Sequence, residues 1–328
     1  MRDVAEKAGV SIKTVSRVVN KQGEISEETR RRVLQTIEAL GYRPSLVARA
    51  LVTQHSCTIG LVMADISNPF FPEVARGVLD RAQQAEYNVF LCNTGGNLQQ
   101  ELQTLESLAD HGVDGIIIIP SYDSAQNLRT FVKTFQPLVL VNYQFEHPGV
   151  SQIIVNNEQG AKLAVDYLVD KGHQKIGMLS GVQNPSSNRV RRILGYRQAM
   201  KHHGLAIADD WIVPTRDSTV ECGHESTHRL LSKHPEITAV FAYNDLLAIG
   251  ALKACQELGR DVPDDCAIIG FDDTHLATIV NPTLTSVRVD KYNLGYQAMN
   301  QLLTMLQTPS ESSSPIHLDV ELTIRQSA

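Results

Sequence analysis

Four short clusters carry the side chains best suited to gripping a small polar ligand: Asn68-Pro69-Phe70-Phe71, Asn142-Tyr143, Tyr243-Asn244-Asp245 and Phe271-Asp272-Asp273. Amides and carboxylates can satisfy several hydroxyl groups, and an aromatic face covers the apolar side of a pyranose or furanose ring. Each cluster also has a structural reading, since Asp245 can cap a following helix and Phe70 or Phe71 can belong to a core. Arg189, Arg191 and Arg192 suit phosphate, or lie solvated and paired on a surface. His173 follows Gly172 where a helix gives way to a strand and reads as a turn residue rather than a base. There is no Gly-x-Ser-x-Gly elbow and no phosphate loop. Cys57, Cys92, Cys222, Cys255 and Cys266 are scattered without a C-x-x-C pair and read as small buried hydrophobes. No catalytic residue, metal or cofactor is expected.

A second constellation lies at the N-terminus. Apolar Val4, Ala5 and Ala8 stop at Gly9 and resume at Val15, Val18 and Val19, helical spacing on both sides of a break. Gly9 can take the left-handed conformation that ends a helix, and Ser11 can accept the amide hydrogens that begin the next. The pair fits a helix-turn-helix, and equally an ordinary helical hairpin. In the first case the second helix lies in the DNA major groove with Ile12, Lys13 and Arg17 towards base edges. Arg17 is then the guanine reader, because a guanidinium can bond both acceptors of that base.

These groups need elements to hold them. Ser26 caps a third helix that carries a stripe of Val33, Leu34, Ile37 and Leu40 and ends at Gly41. Val4, Val15, Val18, Val33 and Ile37 would enclose a small core. Residues 45–51 then make one or two helical turns, too few to be stable alone. Such a segment folds when DNA and a partner supply contacts, with Leu51 as a minor-groove wedge, or it is a plain linker.

Charge separates this head from the body. The chain of 328 residues carries a net −6, yet up to Ser56 ten basic residues face six acidic ones, leaving 20 basic against 30 acidic in the remainder. A local positive excess is what phosphate neutralisation requires. With 42% hydrophobic and 20% charged residues the chain reads as globular and long enough for more than one domain. It shows no secretory signal pattern and no apolar run approaching a membrane span, so a cytoplasmic protein is expected.

From Cys57 strands and helices alternate. Strands are expected at 58–63, 88–93, 115–120, 138–142, 175–180, 238–242 and 267–271, and helices at 72–84, 101–111, 160–171, 194–202 and 246–258. Apolar runs separated by helices imply α/β units with parallel sheets covered on both faces, in two lobes with ligand chemistry between them.

Asp3-Val4-Ala5 through Val19-Asn20, Gly41-Tyr42-Arg43-Pro44, Val47-Ala48-Arg49-Ala50-Leu51, Gly172-His173 and Gly270-Phe271-Asp272-Asp273 together resemble the lac repressor (LacI/GalR) family of bacterial transcription factors. The likeness runs end to end, with the motifs in family order. It implies a helix-turn-helix head over 1–44, a hinge over 45–57 and a core over 58–328 like that of periplasmic sugar-binding proteins. One lobe would hold 58–156 and 287–316, the other 157–286 and 317–328. The resemblance implies a homodimer on double-stranded, palindromic operator DNA, acting as a repressor. DNA contacts would come from Ser11, Ile12, Lys13, Thr14, Ser16, Arg17 and Asn20 in the head and from Ala48 and Leu51 in the hinge. A sugar or sugar-derived effector would meet Asn68, Phe70, Phe71, Asn142, Tyr143, Arg192, Asn244 and Asp272. A nucleobase effector, or a solute-binding protein without a transcriptional role, are the alternatives. The chain departs from the family pattern at Asn156-Asn157, at Ser218 in place of an aromatic and at Val289 in place of a glutamine. Met1 and Arg2 offer no side-chain cap to the first helix. No heptad segment follows Ile324-Arg325, so a dimer is expected and not a tetramer built by a terminal coiled coil.

Overall fold

The computed structural model describes residues 1–19, 23–42, 55–120, 125–145, 147, 149–182, 187–308 and 314–328. The chain divides into two compact units, Met1–Cys57 and Thr58–Ala328.

In the first unit α1 (Arg2–Ala8) stops at Gly9, whose φ of 62° is left-handed, and starts without a side-chain cap. The amide of Val10 turns back to donate to the carbonyl of Ala5 at 3.0 Å, closing the helix end. Ser11 Oγ accepts from the amide of Thr14 at 3.1 Å and so opens α2 (Ile12–Val19). Ser26 does the same for α3 (Glu27–Ala39), accepting from Thr29. Val4, Ala5, Ala8, Val15, Val18 and Val33 form the core, with Ile37 and Tyr42 packed against it. The expected stripe on α3 is narrower than the sequence suggests: Leu34 is 50% and Leu40 38% exposed. A three-helix unit this small has room for only part of that face.

The second unit contains two six-stranded sheets. In the first the order is β11-β5-β4-β3-β1-β2, with β1 (Thr58–Met63), β2 (Asn88–Asn93), β3 (Gly115–Ile118), β4 (Leu138–Val141), β5 (Val150–Val155) and β11 (Ile316–Leu318) all parallel. In the second the order is β12-β10-β9-β8-β6-β7, built from β6 (Ile176–Val182), β7 (Ile212–Thr215), β8 (Ala239–Ala242), β9 (Ala267–Asp272), β10 (Thr285–Arg288) and β12 (Glu321–Thr323). Only β12 runs antiparallel to its neighbour there.

Helices cover both sheets: α4 (Phe70–Gln84), α5 (Leu98–Asp110), α6 (Ala125–Phe131), α7 (Asn157–Asp170), α8 (Ser187–His202), α9 (Val220–Lys233), α10 (Asp245–Glu257), the short α11 (Leu276–Ile279) and α12 (Lys291–Gln307). The chain passes from the first sheet to the second between β5 and α7, returns between β10 and α12, and passes again between β11 and β12. Two of these passages fall a few residues later than expected. Val287 and Arg288 still pair with Phe271 and Asp272 in the second sheet, and His317 and Leu318 pair with Ile154 and Val155 in the first.

Close helix crossings brace each lobe. A Cβ on Gly77 of α4 would overlap the carbonyl oxygen of Tyr292 in α12, and one on Gly295 would overlap that of Val74. Gly223 and Gly250 bring α9 and α10 together in the same way.

Candidate effector cleft and DNA-reading helix

The eight ligand-facing residues expected from the sequence, Asn68, Phe70, Phe71, Asn142, Tyr143, Arg192, Asn244 and Asp272, all line one cavity of about 480 Å³. Its wall is built from the C-terminal ends of β1 to β4 and of β6 to β9, together with the starts of the helices that follow. Parallel strands leave their chemistry at that edge.

Asn68 Oδ1 accepts from the amide of Phe70 at 3.0 Å, fixing the turn into α4. Phe70 is buried, while the half-buried Phe71 meets it edge to face at 5.5 Å. Asn142 and Asp272 hold left-handed backbone, with φ of 53° and 98°. Such strain in non-glycine residues needs a surround that fixes it. For Asn142 the fixing contacts are its amide to the carbonyl of Ile153 at 2.6 Å and its Oδ1 to Asn157 Nδ2 at 2.8 Å.

Arg192 is the organising cation. It is 3% exposed. Its Nε donates to Asn157 Oδ1 at 2.8 Å, Nη1 to the Tyr243 carbonyl and Nη2 to Asp272 Oδ1 at 3.4 Å. The guanidinium also lies 3.5 Å from the Phe271 ring centroid and 4.4 Å from that of Tyr243. Burial pushes Asp272 up to about 6, against the opposing pull of Arg192 and Lys291. Burial pushes Asp245 up to about 7, with the charge of Asp272 adding to the shift.

Asp245 does not line the cavity and does not cap α10; Asn244 is the cap, accepting from the amide of Leu247 at 3.0 Å. Asp245 instead binds Thr274 and Ser286 beneath β9.

Three contributors were not singled out for these roles by the sequence. Asn157, noted only as a departure from the family pattern, joins Arg192 to Asn142. Lys291, 4% exposed at the start of α12, donates to the carbonyls of Asp272 at 2.7 Å and Asp273 at 2.9 Å and pairs with Glu73 at 3.5 Å. It thus ties the helices of the first sheet to the strained turn of the second. Arg189 lines the cavity, whereas Arg191 is exposed and paired with Glu158 at 3.2 Å. Ser218 also lines the cavity. Val289 is buried in the core.

In the first unit Ser11, Ile12, Lys13 and Arg17 are exposed and Thr14 and Ser16 half-buried, while Val15 and Val18 point inward. Asn20, Ala48 and Leu51 lie outside the described residues. His173 contacts Thr238 Oγ1 at 3.0 Å across the turn that begins at Gly172. None of the five cysteines forms a disulfide; Cys222, Cys255 and Cys266 are buried as expected, whereas Cys57 and Cys92 are half-buried. Among the described residues no His, Cys, Asp or Glu cluster could hold a metal, and no helix is long and apolar enough to cross a membrane.

A helix-turn-helix unit followed by a two-lobed, ligand-sized cleft defines a ligand-responsive DNA-binding regulator. Residues 1–45 match the family described as bacterial regulatory proteins, lacI family, and residues 56–326 match periplasmic binding proteins and sugar binding domain of LacI family. The chain belongs to the LacI family of DNA-binding transcriptional regulators, which is not a family of enzymes. It is 38% identical to catabolite control protein A of Priestia megaterium over 99% of this chain and 98% of that protein. It is similar in structure to a lac repressor dimer bound to operator and the anti-inducer ONPF, with a TM-score of 0.89, 27% identity, and 99% and 97% of the two chains covered. A LacI family transcriptional regulator from Enterococcus faecium with bound ribose matches with a TM-score of 0.71, 27% identity, and 82% and 98% covered.

Proposed function

We propose that this regulator is a cytoplasmic homodimeric repressor whose affinity for palindromic operator DNA is set by a neutral sugar held in the core cleft. One observation carries the reading: a cavity of about 480 Å³ whose amides, carboxylates and aromatic rings come from both lobes. That volume suits a mono- or disaccharide. Asp65, Asp217, Glu221 and Asp272 face Arg189 and Arg192 there, so the lining is acidic on balance and repels a phosphorylated ligand. The E. faecium relative with bound ribose supports a sugar. Exposed Ile12, Lys13 and Arg17 are the base-reading set, and Arg17 is the guanine contact.

Ligand and DNA then act on one another reciprocally: whatever factor the sugar imposes on operator affinity, the operator imposes on sugar affinity. A thermal-shift screen of neutral sugars, sugar phosphates and nucleobases tests the ligand class, because a ligand specific to the native state raises its melting temperature. A neutral sugar is expected to stabilise the wild type and to lose its effect in Asp272→Asn. Stabilisation by a sugar phosphate or a nucleobase alone would overturn the assignment.

A further inference from the structure

A second cavity, of about 310 Å³, opens beside the β5-to-α7 passage and shares Asn142, Tyr143 and Asn188 with the main cleft. Its charge balance is the reverse of the cleft's. Lys162 of α7 and Arg191 of α8 face a single carboxylate, Glu158, and the rest of the polar lining is the His317 ring of β11, the Tyr143 hydroxyl and carboxamides. Glu158 is already engaged by Arg191 Nη1 at 3.2 Å, and Arg191 Nη2 reaches across to Gln144 at 3.0 Å. Lys162 is half-buried and makes no ion pair with any described residue. A half-buried ammonium at the wall of a concave, amide-rich site is an anion-binding arrangement.

We propose that this second cavity binds a small oxyanion, with Lys162 as its main charge contact and Arg191 and His317 as flanking donors. The site takes contacts from both lobes, because β11 belongs to the first sheet and α7 and α8 cover the second. It is also wired to the main cleft. Asn157 donates to Asn142 at 2.8 Å and to Asn188 at 3.2 Å while accepting from Arg192 at 2.8 Å. An occupant that moves Asn142 or Asn188 therefore moves the cation that organises the cleft. The two cavities sort ligands by charge, a neutral one in the acidic cleft and an anionic one in the basic site. The basic site stands on its own residues and does not depend on the identity of the cleft's ligand.

Titration calorimetry of the full chain with inorganic phosphate, against chloride at matched ionic strength, tests the site. Saturable phosphate binding is expected. Losing the main charge contact in Lys162→Gln should weaken it by about tenfold or more, the equivalent of ~1.4 kcal/mol, while Lys162→Arg should largely restore it. Arg189→Gln, in the main cleft, should leave phosphate binding unchanged. The melting temperature of Lys162→Gln without phosphate should match wild type, since an unpaired, half-exposed lysine holds nothing in place. Phosphate binding untouched by Lys162→Gln would overturn the proposal. So would binding abolished by Arg189→Gln, which would put the anion in the cleft, or a phosphate response no greater than that of chloride.

Discussion

Replacing Arg192 with methionine removes the guanidinium but keeps a long apolar stem between Phe271 and Tyr243. Asn157 Oδ1 and the Tyr243 carbonyl each lose a donor, and the buried Asp272 loses its nearest cation. Breaking a buried pair of this kind costs about 3–5 kcal/mol when the partner stays charged. The pH dependence separates that charge effect from simple loss of packing. Asp272 is held at about 6 in the folded protein, above the usual 3.8. Below the usual value it is protonated in both states and its burial is at its most favourable. That advantage is lost as pH rises through the folded value, by roughly 3 kcal/mol in all at ~1.4 kcal/mol per unit. In Arg192→Met the folded value rises further, because a cation that held it down is gone, so the loss continues to higher pH. Urea denaturation at pH 5 and at pH 8 should therefore show a modest deficit at pH 5 and one at least ~1.4 kcal/mol larger at pH 8. Equal deficits at the two pH values would refute the assignment of Arg192 as the counter-charge of Asp272.

Two further substitutions probe the frame around the cleft. Gly77→Ala forces α4 away from the Tyr292 carbonyl and should lower the urea midpoint by the equivalent of about 1–3 kcal/mol with an unchanged slope; an unchanged midpoint would mean that the two helices do not pack backbone to backbone. Lys291→Met leaves the carbonyls of Asp272 and Asp273 without their charged donor and should cost about 2 kcal/mol in the same assay. It should also weaken binding in the cleft by raising Asp272 further; wild-type stability and ligand affinity together would count against a positioning role.

Much of this architecture is legible because the parallel strands are short apolar runs. Gly115-Ile116-Ile117-Ile118 and Leu138-Val139-Leu140-Val141 announce themselves, and the polar residues that follow each strand fall at the edge where such sheets bind ligands. The helix α9 is harder to see, since its buried face is Cys222, Gly223, Ser226 and Thr227 before Leu230 and Leu231. Strand β7 is four residues with a proline, and β11 and β12 are three each, too short for a periodic signal. Helix α12 does carry a readable Leu294, Ala298, Leu302 spacing.

In the cleft, residues that announce a polar turn are legible in the sequence, while those that act through distant partners are not. Asn157 works through Asn142 and Arg192, and Lys291 through the backbone of Asp272 and Asp273, contacts that only the fold creates. That Asp245 does not cap α10, as its position suggests, likewise depends on Thr274 and Ser286, which engage its carboxylate.

In the function proposed above, the cleft and the DNA-reading helix serve one linked equilibrium. Fluorescence anisotropy with an operator selected from random DNA, with and without the sugar that stabilises the wild type, measures that linkage directly. The sugar should change operator affinity by a factor of about 5–150, and saturating operator should change sugar affinity by the same factor. Arg17→Ala should lose operator preference and keep sugar affinity. Identical sugar affinity in the presence and absence of operator would mean that the two sites are uncoupled and that the cleft does not control DNA binding.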